Sequence, residues 1–301
     1  MSPSSAPSAS QVAQWLEDEA RLFLAGPGND NGNPAGFERA FGDPIFGYAW
    51  AADPIWESFK KSVDPDCLTP FAAFERAFSP SPAAENLFVL VFVLPQTGQT
   101  SRDQSRASGW PAERWIRSRR AHQKTIDGLT KRLQDFLLTK RIQAVAPDLL
   151  PAWQTRPSPS FQISSLWSHR HAGFAAGLGT FGLCDGLITR VGKAHRMGSL
   201  VINHPLPVTL RDYRDDDFRR DCLWFNSGSC GLCVKRCPVG ALSSSGHDKE
   251  KCSGFLNRTK DYIAANWPDL AGAYGCGLCQ SRVPCAVRAP KLPKAGSVAG
   301  G

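Results

Sequence analysis

The spacing of apolar positions changes several times along this chain of 301 residues, and each change marks an element. Val12, Trp15, Leu16 and Phe23 recur at helical spacing between Gln11 and Gly26, which predicts an amphipathic helix. Residues 26–36, rich in Gly, Asn and Pro, predict a loop. Pro44, Pro54, Pro65, Pro70, Pro80 and Pro82 leave room only for short elements up to residue 85. The run NLFVLVFVLP (86–95) is continuously apolar and ends on proline, the pattern of a central α/β-sheet strand buried on both faces. Beyond it, Pro111 suits a first helical turn, and Ile126, Leu129, Leu133, Phe136 and Leu137 form one apolar stripe up to about Ala144. Residues 151–160 read as a linker or ordered loop. SHRHAGFAAG (168–177) reads as a short helix stopped by Gly177, and residues 186–203 as two strands around a glycine-containing turn.

An apolar share of 42% and a charged share of 21% are ordinary for a globular protein. The length predicts one large domain and a smaller one. The expected division is a disordered stretch at 1–10, an α/β domain at 11–210, a cysteine-rich domain at 211–290 and a flexible tail at 291–301. The start carries no basic segment followed by an apolar one, and the longest apolar run is too short to cross a bilayer. A cytoplasmic protein is expected, with no membrane partner. The net charge of +8 admits an acidic partner or RNA. Arg117, Arg119, Arg120, Lys124, Lys131, Arg132, Lys140 and Arg141 load the helix after Pro111, and a solvated basic face is the plainer reading of them.

The cysteines change the picture. Of ten, Cys67 and Cys184 stand apart and the other eight crowd the last third. The eight form two groups: Cys222, Cys230, Cys233 and Cys237, then Cys252, Cys276, Cys279 and Cys285. In a reducing compartment disulfides explain such a cluster poorly. Zinc usually takes two CxxC pairs per site; one zinc would leave four of these thiols over, and two would need less usual spacings. CGLCVKRCP (230–238) instead follows three-quarters of the ferredoxin run C-x₂-C-x₂-C-x₃-C-P, in which the last cysteine crosses to a second cluster. Ser227 stands at the strict first position, so Cys222 serves if LWFNSGS (223–229) bulges back. CGLCQSRVPC (276–285) has five residues before Cys285 where three would be usual. Two 4Fe–4S clusters use all eight thiols. The crossing rule assigns Cys222, Cys230, Cys233 and Cys285 to one, and Cys237, Cys252, Cys276 and Cys279 to the other. Zinc stays open as the alternative. Pro238 suits an early helical position, and Gly231 and Gly277 would let amides approach the sulfurs.

RHAGFAAGLGTFGLCDGLIT (170–189), followed by the two cysteine groups, resembles the epoxyqueuosine reductase and reductive dehalogenase superfamily. The likeness runs over roughly residues 85–288. GDPIFGYAWAADPIWESFKKSV (42–63) and PAERW (111–115) look like a short, less characterised branch of it. The resemblance implies a nitroreductase-like α+β domain joined to a small ferredoxin-like domain with two 4Fe–4S clusters. It also implies a cobalamin, held around Arg170, Gly177, Gly179, Gly182 and Gly186, and an electron donor such as reduced ferredoxin or flavodoxin. Read as residues alone, those glycines serve equally as a helix cap and tight turns. The position implied for a catalytic aspartate falls on Ile163, which cannot donate a proton. His169, His171, Asp185 and His195 are the polar candidates near the glycines for that role, and a surface or structural pair is the plain reading of His169 and His171. The expected function is an iron–sulfur reductase acting on an unknown substrate. Its alternative is a ferredoxin-type carrier or interaction protein without cobalamin.

Overall fold

The computed structural model describes residues 6–151, 155–158 and 162–292. Its helices and longer strands begin with α1 (Ala9–Ala25), β1 (Ile45–Trp50), α2 (Ile55–Ser62), α3 (Pro70–Ala77), β2 (Phe88–Pro95), α4 (Gly98–Arg106) and α5 (Glu113–Thr139). There follow β3 (Ala144–Val145), β4 (Thr155–Ser158), β5 (Gln162–Ser165), α6 (His169–Ala175), β6 (Gly179–Phe181), β7 (Leu187–Thr189) and β8 (His195–Ile202). The cysteine-rich part holds α7 (Leu223–Ser227), α8 (Leu232–Lys235), β9 (Leu242–Ser243), β10 (Gly246–His247) and α9 (Lys249–Asn266). The class is mixed α/β with small antiparallel sheets. No helix among the described residues is long and apolar enough to cross a membrane.

Two compact units emerge, each discontinuous in sequence. Within the described residues the first comprises the chain up to Leu94, Ala121–Leu178 and Arg196–Asp212; the second comprises Pro95–Arg120, Gly179–His195 and the chain from Tyr213 onward. A single boundary near residue 210 leaves out two of those segments. Composition shifts at the cysteines, whereas 95–120 and 179–195 join the second unit through long-range packing that composition does not record.

In the first unit a sheet of order β1-β2-β8-β3 carries the core, with β1 antiparallel to β2 and β3 antiparallel to β8. Val89, Val91 and Val93 on one face of β2 and Leu90, Phe92 and Leu94 on the other are all fully buried, so the continuous apolar run is a central strand. Val12, Leu16, Ala20 and Leu24 of α1 and Ile126, Leu129, Leu133 and Leu137 of α5 pack in one cluster with Leu90, Phe92 and Leu94. These are the stripes that helical spacing predicts. Ser8 caps α1 by accepting from the Gln11 amide at 3.2 Å, which starts the helix at Ala9. Ala9 and Ser10, expected to be disordered, are therefore helical; Met1–Ser5 lie outside the described residues.

Residues 186–203 contain two strands around a turn closed by Thr189 and Gly192, as expected; β7 pairs with β6 while β8 joins the large sheet. Alternation marks a strand without naming its partner. One further expectation needs correction. The stretch read as a linker at 151–160 contains β4, paired antiparallel to β5 with Pro157 opposite Ile163. The basic segment is largely solvated, as read: Arg120, Lys124, Lys131, Arg132, Lys140 and Arg141 are exposed. Arg117 is buried and bridges Glu113 and Asp269, each at 2.7 Å, and Arg132 pairs with Glu19 at 2.8 Å.

Candidate metal centre

The second unit gathers the cysteines around short elements. LWFNS forms α7 and is capped by Gly228, whose left-handed backbone (φ 66°) turns the chain back. Cys222, Cys230, Cys233 and Cys285 consequently line one small cavity, together with Lys193 and Trp224. Ser227, at the strict ferredoxin position, instead donates its hydroxyl to the Leu223 carbonyl at 3.1 Å. Cys237, Cys252 and Cys276 lie close enough that Cys252 and Cys237 oppose ionisation of Cys276. Cys279 neighbours Cys276 and donates its thiol to the Cys184 sulfur. All ten cysteines are free. Among the described residues no three His, Cys, Asp or Glu side chains converge on a single ion position.

Burial pushes the Cys233 and Cys276 thiols up to about 11 and raises Cys285 as well. Free thiols here would stay protonated, so a bound cation is what would draw off their protons. Backbone amides already point at sulfur: Ala241 N–H donates to Cys237 Sγ at 3.2 Å, and the Leu278 amide serves Cys276. Pro238 lies in the turn after α8 and not in a helix, because α8 ends at Lys235. The turn is what frees the Ala241 amide to reach the sulfur.

The glycines around residues 177–186 are accounted for by the chain itself. A Cβ at Gly177 (φ 68°) would lie 3.0 Å from the Leu210 carbonyl oxygen, and one at Gly179 (φ 155°) only 2.0 Å from that of Ile188. Gly182 and Gly186 close a tight turn, the Gly182 amide donating to the Gly186 carbonyl at 2.8 Å. Arg170 is exposed on the first turn of α6. The helix-cap and tight-turn reading thus has a specific contact for each glycine.

His169 and His171 are both held by protein groups. His169 Nδ1 meets Ser199 Oγ at 2.9 Å and its Nε2 meets Asp148 at 3.2 Å, while Trp167 Nε1 donates to the same Ser199 hydroxyl. Ser199 is fully buried. This chain of bonds ties α6 to β8 as structure does. His171 bonds Ser168 Oγ at 2.8 Å and meets the Phe59 ring edge-on. Ile163 lies in β5, and its side chain is outside what is described; the neighbouring Ser164 hydroxyl donates to the buried Asp64 at 2.7 Å.

No protein-family model matches the chain. The epoxyqueuosine reductase of Bacillus anthracis is 31% identical over 144 residues, which is 45% of this chain and 35% of that protein. That of Staphylococcus aureus is 30% identical over 162 residues, 50% of this chain and 38% of the relative. These matches support the resemblance to the epoxyqueuosine reductase and reductive dehalogenase superfamily. The match spans little more than a third of those relatives' length. A solved epoxyqueuosine reductase from Streptococcus thermophilus superposes with a TM-score of 0.47 at 13% identity, covering 93% of this chain and 68% of that one.

The structure also reveals groups that sequence reasoning passed over. Lys193 is 3% exposed and donates from Nζ to Cys184 Sγ at 3.1 Å. Burial alone would lower its pKa, but the charges of Cys184, Cys285, Cys233 and Cys279 more than offset that and raise it. Asp185, weighed only as a polar group near the glycines, accepts from His247 Nδ1 at 3.1 Å. That bond, and a second to Cys252, lifts His247 to about 9. The sign of its effect on stability follows by linkage. The folded state holds the proton more tightly than the unfolded chain, whose value is near 6.5. The contribution is full below about pH 6.5 and is lost as pH rises through about 9. Denaturant unfolding of wild type and His247→Gln at pH 6 and pH 9.5 should show a stability gap that narrows at the higher pH.

Proposed function

We propose that this chain is an iron–sulfur oxidoreductase of the epoxyqueuosine reductase kind. In this reading Cys222, Cys230, Cys233 and Cys285 hold one 4Fe–4S cluster, and Cys237, Cys252, Cys276 and Cys279 hold a second. The observation that carries it is the single cavity that Cys222, Cys230, Cys233 and Cys285 line together. The buried Lys193 beside it faces sulfur: Cys184 at 3.1 Å, whose thiol is drawn well below its ordinary value, with Cys233, Cys279 and Cys285 nearby. Iron-bound thiolates at Cys233 and Cys285 would add further compensating charge. The donor set, the amide–sulfur bonds and the ferredoxin-like spacing all suit iron–sulfur ligation. Ten free cysteines suit a reducing compartment, so the cytoplasm is part of the proposal.

Bound there, the clusters would supply one-electron transfer, and a cobalamin would supply a cobalt centre able to reduce a substrate. The protein's part is to bury the sulfurs, donate amides to them and exclude water around Leu183, Ile188 and Val283. A reduced ferredoxin or flavodoxin is the class of donor proposed. The reaction class is reduction of a substrate not named, because Ile163 stands where the resemblance places an acid. RNA is a less favoured partner, since Arg117 and Arg132 of the basic helix are engaged in internal ion pairs.

One observation favours the second reading, a two-cluster electron carrier without cobalamin. The bare sides of Gly177 and Gly179 face the carbonyls of Leu210 and Ile188, which leaves those glycines no ligand to explain. Adding cob(II)alamin to the anaerobic holoprotein separates the two. A shift of its absorbance toward the base-off form supports the reductase; an unchanged spectrum, with both clusters present, supports the carrier.

A further inference from the structure

Lys193 occupies a place that a structural lysine has little reason to occupy. It lines the same cavity as Cys222, Cys230, Cys233 and Cys285. Its position is fixed by its own backbone, whose amide is shared between the carbonyls of Cys285 (2.9 Å) and Ala286 (3.1 Å). The Ala194 amide adds a bond to Ala286 at 2.9 Å. The preceding Gly192, at φ 79°, lets the two segments approach; a Cβ there would stand 2.3 Å from the Ala286 carbonyl oxygen. The segment bearing the ammonium and the segment bearing Cys285 are thus stitched together. At 3% exposure, water screens the charge little. Cys184 receives the Nζ–H at 3.1 Å and holds the side chain from the far side.

We propose that Lys193 is a positioning and tuning residue for the centre formed by Cys222, Cys230, Cys233 and Cys285, raising its reduction potential above that of the second centre. The inference rests on the cluster assignment above. One-electron reduction adds one negative charge to the thiolate-bound centre and changes no bond. A fixed positive charge at close range in a poorly screened interior favours the reduced state over the oxidised one. Of the second group only Cys279 neighbours Lys193, and none of the four lines its cavity, whereas Cys233 and Cys285 of the first do both, so the effect falls chiefly on the first. A difference between the two centres gives electrons a preferred direction from one to the other.

The test is a spectroelectrochemical titration of the anaerobic holoprotein with dithionite, after iron and sulfide have been counted. Lys193→Met keeps length and removes charge; Lys193→Arg keeps charge. The expected result is a fall in one of two midpoint potentials in Lys193→Met, the other unmoved, with Lys193→Arg close to wild type. Equal potentials in all three proteins, or an equal shift of both centres in Lys193→Met, would overturn the proposal. If Lys193→Met loads no iron, Lys193→Gln repeats the comparison with a neutral donor. Loss of loading in both neutral variants with retention in Lys193→Arg upholds the charge requirement, and loss in all three assigns Lys193 to packing and sinks it. Wild-type protein that binds no iron would instead defeat the cluster assignment, a result separable from failure of the tuning.

Discussion

Anaerobically purified protein carrying Cys230→Ser is expected to hold about four iron atoms per chain where wild type holds about eight. The reasoning is positional. Cys230 lines the cavity with Cys222, Cys233 and Cys285, and Ser227, the nearest oxygen donor in the ferredoxin-like run, is occupied with the Leu223 carbonyl. Cys184, the further thiol near that cavity, is engaged with Lys193 and Cys279. Serine keeps the shape and loses the soft, readily deprotonated donor. The same change at Cys252 should remove the other half of the iron, and the double variant should be nearly iron-free. Iron and acid-labile sulfide assays with electron paramagnetic resonance of the reduced proteins check this. Identical residual spectra in the two single variants would contradict the assignment of these cysteines to different clusters.

Gly179→Ala is expected to destabilise the fold by about 3–5 kcal/mol, with or without any cofactor. The added Cβ would meet the Ile188 carbonyl oxygen at 2.0 Å and its carbon at 2.7 Å. Both are backbone atoms of the β6–β7 pair and cannot rotate away, and φ of 155° adds strain for any residue with a side chain. If this glycine's main task were to admit a macrocycle, the variant would unfold like wild type in the absence of cobalamin. Denaturant midpoints measured without cobalamin decide between these outcomes.

What could be read along the chain follows from how local the cause is. The run at 86–95 announces a central strand because both faces of β2 are buried, and that is written into consecutive residues. The stripes of α1 and α5 are legible for the same reason: each residue's partner surface is set by its own helix period. The pairing of β7 with β6 and not with β8 is not legible, since it depends on 179–181 returning to that edge. Spacing groups Cys222, and not Ser227, with Cys230 and Cys233, and the three line one cavity. Lys193 was not found. A lone lysine after a glycine turn reads as exposed, and only the stitching of its backbone to Cys285 and Ala286 carries it into the sulfur-rich interior. His169 and His171 show the converse. Two histidines flanking Arg170 look like chemistry in a sequence, whereas Ser199, Asp148 and Ser168 engage them in space.

The most direct measurement is metal and sulfide analysis of wild-type protein prepared without oxygen, joined to its spectrum before and after dithionite. About eight iron and about eight sulfide per chain, with broad charge-transfer absorbance that bleaches on reduction, is the result expected for two cubanes. Stoichiometric zinc without iron, or a metal-free protein whose thiols all titrate with a thiol reagent under native conditions, would contradict it.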